Sequence, residues 1–195
     1  MIDFKQAKVV VEQVSDNNWL LREAFDYTGK FETFHVPLGQ GTDFASVPRV
    51  FVWFLPRYGR YTKAAILHDF LWRERASKGT LDYVDADGTF RRAMRELGVP
   101  FLRRWILWAA VRWGALLKPN GRKGCLKEAP RVLLVSAVAV PIVVPPAIVV
   151  GAAIVVFQTV ELVVWVPLKV VELVKEATAP DTAKQANLPG LDWRL

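Results

Sequence analysis

One cysteine in 195 residues, Cys125, cannot close an internal disulfide, so nothing in this chain requires an oxidising compartment. There are only two histidines, His35 and His68, and with Cys125 they form no cluster of zinc-ligand spacing. No glycine-rich phosphate loop is present, and no internal repeat is apparent. No nucleic-acid recognition motif accompanies the net charge of +7. Ser46 lacks partners at triad spacing, which leaves a serine nucleophile without support. The opening MIDFKQAKVVVEQ has no uninterrupted apolar core of signal-peptide length, so no secretion signal is expected. The most informative absence is charge, since no Asp, Glu, Lys or Arg occurs from Val132 to Val160.

As a helix, those 29 residues would reach about 43 Å, beyond the roughly 30 Å of a bilayer's hydrocarbon core. Pro141, Pro145 and Pro146 lie inside the run, so a kinked or partly unwound membrane span is expected rather than a straight one. Lys118, Arg122, Lys123, Lys127 and Arg131 flank its N-terminal side, which the positive-inside rule places in the cytoplasm. A buried hairpin or an oligomer interface would use the same apolar residues. Beyond Glu161, VVWVPLKVVELVKEA is amphipathic and would lie along an interface or continue the span. Through Arg131 the chain carries 22 basic and 14 acidic residues, and the remainder carries 4 and 5. The basic excess therefore belongs to the first two-thirds. It suits an anionic membrane surface or phospholipid as partner, with no specific nucleic acid.

The first 40 residues are rich in β-branched and aromatic side chains. AKVVVEQV, NWLLREAF and FETFHVPL are separated by turn chemistry and predict a small antiparallel β meander. LGQGTDFASVP follows as a loop. From Tyr61 the apolar period becomes helical, and three helices are predicted: one through His68, one over about 82–97 closed by Gly98 and Pro100, and one over about 101–117. The division expected is 1–118 for this domain, 119–131 for a basic linker, 132–177 for the hydrophobic segment with its amphipathic continuation, and 178–195 for a polar, mobile tail.

The stretch TKAAILHDFLWRER places His68 on the Ala64–Leu67–Leu71 stripe, facing the core or a pocket. Asp69, about 100° around the helix, points sideways toward a neighbouring loop. A buried imidazole needs a partner for its nitrogens, and a carboxylate from the next helix would orient it as a general base. Asp82, Asp85 and Asp87 are near enough in sequence, and Asp87 lies one turn before Phe90 on the apolar face, so it points inward. The plainer alternative is a core histidine that ties two helices together. Asp69 beside the loop containing Asp43 could complete a site for a hard cation such as calcium. His35, on a predicted strand, reads as polar surface. In RRWILWAAVRWG, Trp105, Trp108, Arg112 and Trp113 form either an interfacial stripe or an inward-packed core face. Arg57, Arg60, Lys63, Arg73 and Arg75 read as solvated faces.

GTDFASVP, then GRYTKAAILHDFLWRE, then DADGTFRRAMRELGVP resemble the family of phage and bacterial proteins known as domain of unknown function 1353, from about Gly39 to Gly114. The usual family pattern has Gly where Phe44 stands and Tyr where Trp72 stands. That pattern is in turn similar to the small phospholipases A2 of bacteria and fungi, and this second resemblance implies a role for each matching residue. His68 would activate water, and Asp87 would orient it. Asp43 and Asp69 would hold calcium through their carboxylates, with the Phe44 carbonyl as a further ligand. Calcium would then polarise an ester carbonyl.

The expectation is thus an α+β protein with an N-terminal β meander, a three-helix phospholipase A2-like unit and a C-terminal membrane-inserting helical segment. The function that follows is a membrane-associated, phage-type hydrolase of lipid esters using calcium. The alternative is a non-catalytic phage virion or lysis component, with phage structural proteins as partners and the apolar segment as anchor.

Overall fold

The structure is a computed structural model that describes residues 4–29, 32–45, 47–118 and 120–178. Ser46 and residues 179–195 of the expected polar tail lie outside the described residues. The architecture is α+β, with antiparallel strands first, three packed helices next and a long apolar helix last.

The expected single meander is instead two small sheets. Strands β1 (Val11–Ser15) and β2 (Asn18–Leu21) pair antiparallel, and the short β5 (Gly41–Thr42) adds to the other edge of β2. Strands β3 (Phe25–Thr28) and β4 (Thr33–Val36) form a separate hairpin, with Phe25 opposite Val36 and Tyr27 opposite Phe34. The run NWLLREAF, read as one strand, breaks at Arg22–Ala24. The break has a physical cause: Phe25, Tyr27, Phe34 and Val36 all turn one face of the hairpin into the core while Asp26 and His35 face water, so the hairpin packs independently.

Helix α1 (Thr62–Phe70) runs through the middle of the domain. Ala64, Ala65, Ile66, Leu67 and His68 are all buried, so it is covered on nearly every side. It continues as a wider π-helical turn over Leu71–Ala76, in which the Ser77 N–H reaches the Trp72 carbonyl. Helix α2 (Tyr83–Glu96) buries Tyr83, Ala86, Asp87, Phe90, Ala93 and Met94. At its end, Gly98 takes a φ of 73°, and the Val99 N–H bonds back to the Met94 carbonyl. This left-handed stop needs glycine. Pro100 then opens helix α3 (Phe101–Ala115), whose Ile106, Leu107, Trp108, Ala109 and Arg112 are buried. Between α3 and the last helix, Gly121 packs so close to the Ala115 carbonyl that a Cβ there would lie 2.2 Å from its oxygen.

Helix α4 (Cys125–Thr178) is continuous over 54 residues, about 81 Å at 1.5 Å per residue. The expected unwinding is not observed: Pro130, Pro141, Pro145, Pro146 and Pro167 all lie inside the continuous helix. Proline's fixed φ is itself helical; each ring deletes one backbone bond while those of its neighbours persist. Only one stripe of the first half touches the domain: Val132 and Ala147 are buried, and Val135 and Ala139 pack on the core. Most of the remaining surface is bare, with Leu134, Ile148, Val149 and Phe157 all more than half exposed. By length and composition this helix could cross a membrane.

Candidate functional site

Four residues from three helices meet around one carboxylate. Asp87, on the buried face of α2, has no exposed surface. His68 Nε2 lies 2.7 Å from its Oδ1, and Trp72 Nε1 donates to the same oxygen at 2.7 Å. Arg112 Nη1, from α3, donates to Oδ2 at 2.8 Å. His68 and Trp72 are four residues apart on one helical surface, so both reach Asp87 from α1 and its π-helical continuation. The imidazole is enclosed by the rings of Trp72 and Phe90, with centroids 5.1 and 4.7 Å away.

These contacts assign the protons. Arg112 is buried to 1% and always charged, so Asp87 beside it is the carboxylate, an acceptor only. His68 Nε2 must therefore carry a hydrogen and donate it. In neutral His68 the lone pair then sits on Nδ1, which has no hydrogen-bond partner among the described residues. The inward orientation expected for His68 and Asp87 is what the structure has. In the sequence Arg112 stands out only within an Arg/Trp pattern, and Trp72 only as a departure from Tyr. The available signal was position: Arg112 falls on the stripe of Trp105 and Trp108, where a cation implies a buried acid.

The Arg/Trp pattern itself divides. Trp108 is buried and Trp105 packs beside it with the Arg91 guanidinium 4.3 Å above its ring, whereas Trp113 is 47% exposed and donates to Ser136 on α4. His35 is exposed and pairs with Asp26 across the hairpin, as a surface residue would. Several cations read as solvated have partners: Arg57 bonds Asn17, Lys63 the Phe4 carbonyl, Arg73 Asp43 and Arg75 Glu32.

On the other side of α1, Asp69 faces the loop after β5. Pairing of β5 with β2 holds Thr42 against α1, and Thr42 Oγ1 donates to Asp69 Oδ2 at 2.6 Å. The same hydroxyl accepts the Phe44 N–H at 2.9 Å. Phe44 sits at φ 62°, the left-handed region that favours glycine, at a cost of about 1–2 kcal/mol. The loop thus keeps a glycine-like backbone although the residue is Phe, and the ring is buried against Trp19, 5.0 Å between centroids. Thr42→Val keeps the shape but strips the hydroxyl from two partners. It is expected to lower stability by about 1–3 kcal/mol, read by chemical denaturation.

Burial and then the nearby Asp43 carboxylate raise the Asp69 carboxyl from 3.8 to about 7, against the opposing pull of Thr42, His68 and Arg73. Two acids crowd this corner, and Arg73 lies 3.6 Å from Asp43. Between the two values the folded chain holds a proton that the unfolded chain has released. The contribution of Asp69 to stability is therefore complete below about pH 4 and is lost as pH rises through 7. Unfolding temperature should fall between about pH 4 and 7 and level off above that, and Asp69→Asn, which still accepts from Thr42, should flatten that slope.

Could this corner hold a cation? Burial is the larger cause of the raised Asp69 carboxyl and the Asp43 carboxylate the second, a repulsion that a divalent ion would relieve. Among the described residues no third acidic, histidine or cysteine ligand joins them. Two carboxylates alone supply fewer than the roughly six to eight oxygens that calcium takes, so the remainder would have to come from backbone carbonyls and water.

The profile of one family, described as a protein of unknown function (DUF1353), matches residues 19–111. That span covers Asp43, Phe44, His68, Asp69 and Asp87 and ends one residue before Arg112. No curated protein and no solved structure matches the chain, so the phospholipase A2 resemblance rests on the motif residues alone.

Proposed function

We propose that the DUF1353 domain of residues 19–111 and helix α4 together make a membrane-associated hydrolase of lipid esters. The observation that carries this reading is the orientation of His68, with Nε2 committed to Asp87 and Nδ1 left as a base. Nδ1 removes a proton from water as the oxygen attacks the ester carbonyl, and Asp87 stabilises the imidazolium that forms. When the tetrahedral intermediate collapses, Nδ1–H returns the proton to the departing alkoxide, giving a fatty acid and a lysolipid. Calcium held by Asp43, Asp69 and the Phe44 carbonyl would supply the charge that polarises the carbonyl. Arg112 balances Asp87, so that the carboxylate orients His68 without being an unpaired buried charge. The basic segment before α4 favours an anionic surface with the domain on the cytoplasmic side.

A second reading is favoured by the same network. Asp87 accepts donors from both neighbouring helices and ties α1, α2 and α3 together, which is what a non-catalytic virion or lysis component anchored by α4 would need. The two part cleanly. Full-length protein on vesicles of phosphatidylglycerol and phosphatidylcholine should release fatty acid when calcium is added, and His68→Ala should slow release by about 10²–10⁴-fold. Equal release by both proteins, or none by either, would assign the network to scaffolding.

A further inference from the structure

Where α3 ends and α4 begins, a cavity of about 340 Å³ opens between the helices, lined by Arg112, Trp113, Leu116, Leu126, Ala129 and Leu133 among others. Its size falls in the roughly 300–1,000 Å³ range of small-molecule sites. The accessible wall is almost wholly apolar. The segment that leads into it is the opposite: Arg122, Lys123 and Lys127 are exposed, Lys127 follows the wall residue Leu126 in sequence, and Arg122 Nε donates to the carbonyl of Leu116, another wall residue, at 3.0 Å. The cavity lies along the first turns of α4 and reaches Leu133, inside the uncharged run from Val132 to Val160. Along the chain the cations come first, the apolar cavity next and the bare apolar helix last, which is the order of phosphate, acyl chain and bilayer interior.

We infer that this cavity binds one anionic phospholipid, an acyl chain between α3 and α4 and the phosphate at Arg122, Lys123 and Lys127. A second copy of the chain suits it poorly, because its own Arg122, Lys123 and Lys127 would meet the same cations. The site is separate from His68 and does not depend on hydrolysis. It abuts the Asp87 network all the same. Arg112 forms part of the cavity wall, gives Nη1 to Asp87, and has no partner for Nε or Nη2 among the described residues. A lipid in the cavity therefore packs against the group that holds Asp87 in place.

The test counts lipid on the full chain by native mass spectrometry after equilibration in micelles doped with phosphatidylglycerol or phosphatidylcholine. Wild type should retain one phosphatidylglycerol, about tenfold or more in preference to phosphatidylcholine. Ala129→Trp fills the cavity and should cut retention at least about tenfold. Leu126→Gln changes a wall residue that is 92% exposed, so it serves as a second cavity variant that leaves the fold intact, and it should also lower retention. Joint replacement of Arg122, Lys123 and Lys127 by Gln should erase the headgroup preference. Undiminished retention in both cavity variants would overturn the cavity as the acyl site. Equal binding of the two lipids by wild type would overturn the phosphate assignment, and a dimer lost in Ala129→Trp would identify a second copy as the occupant instead.

Discussion

Arg112→Ala is expected to lower the unfolding free energy by about 3–5 kcal/mol, the largest stability effect of any single substitution considered. The reason lies in what remains. Asp87 has no exposed surface, and among the described residues Arg112 is its only permanently charged partner, 2.8 Å from Oδ2. Without the guanidinium, a carboxylate stays behind in a site water does not reach, and the space left against Trp108 and the cavity wall does not refill. The double variant Arg112→Leu, Asp87→Leu removes both charges together and should recover much of the loss, because paired burial is costly only when one partner is missing. Chemical denaturation of both proteins checks this. A double variant no more stable than Arg112→Ala would show that packing, not charge pairing, was lost.

Asp87→Asn should be the most damaging conservative change for activity, by about 10³–10⁴-fold in fatty-acid release, with structure largely retained. An amide offers one acceptor where the carboxylate offers two. If its oxygen takes the Oδ1 position, it still receives His68 and Trp72, but its NH₂ then confronts the Arg112 donor. If it flips, the NH₂ faces His68 Nε2 and favours the tautomer with the hydrogen on Nδ1, which no longer has a lone pair for water. Arg112 also loses its counter-charge in either orientation. Fatty-acid release measured beside the unfolding temperature separates the two effects. Activity that falls only in proportion to folded protein would make Asp87 a purely structural residue.

How much of this site could be read along the chain? The inward face of His68 follows from its spacing with Ala64, Leu67 and Leu71, and that of Asp87 from its distance to Phe90, because helical period fixes direction within one element. The sideways turn of Asp69 toward the β5 loop follows by the same geometry, and Thr42 receives it there. Phe44 is different. Its left-handed φ is set by the Thr42 hydroxyl and by packing against Trp19, neither of which its own residue type announces. Arg112 is different again, since its role depends on which residues of α2 the third helix crosses, 25 positions away. The strand runs were visible, but their grouping into two sheets depends on how each face meets α1, a long-range choice that local propensity does not encode.

By itself, the order of residues determined the α+β class, the helix that carries His68 and Asp69, and an apolar segment long enough to cross a membrane. Those properties are periodic or compositional, and they survive whatever the rest of the chain does. Only the tertiary structure decided that Asp87 is shared among His68, Trp72 and Arg112, that the proline-containing segment is one unbroken helix, and that its first turns line an open cavity with α3. Each depends on distances between segments far apart in sequence. Such distances are settled by the packing of whole faces and by the need to pair every buried charge.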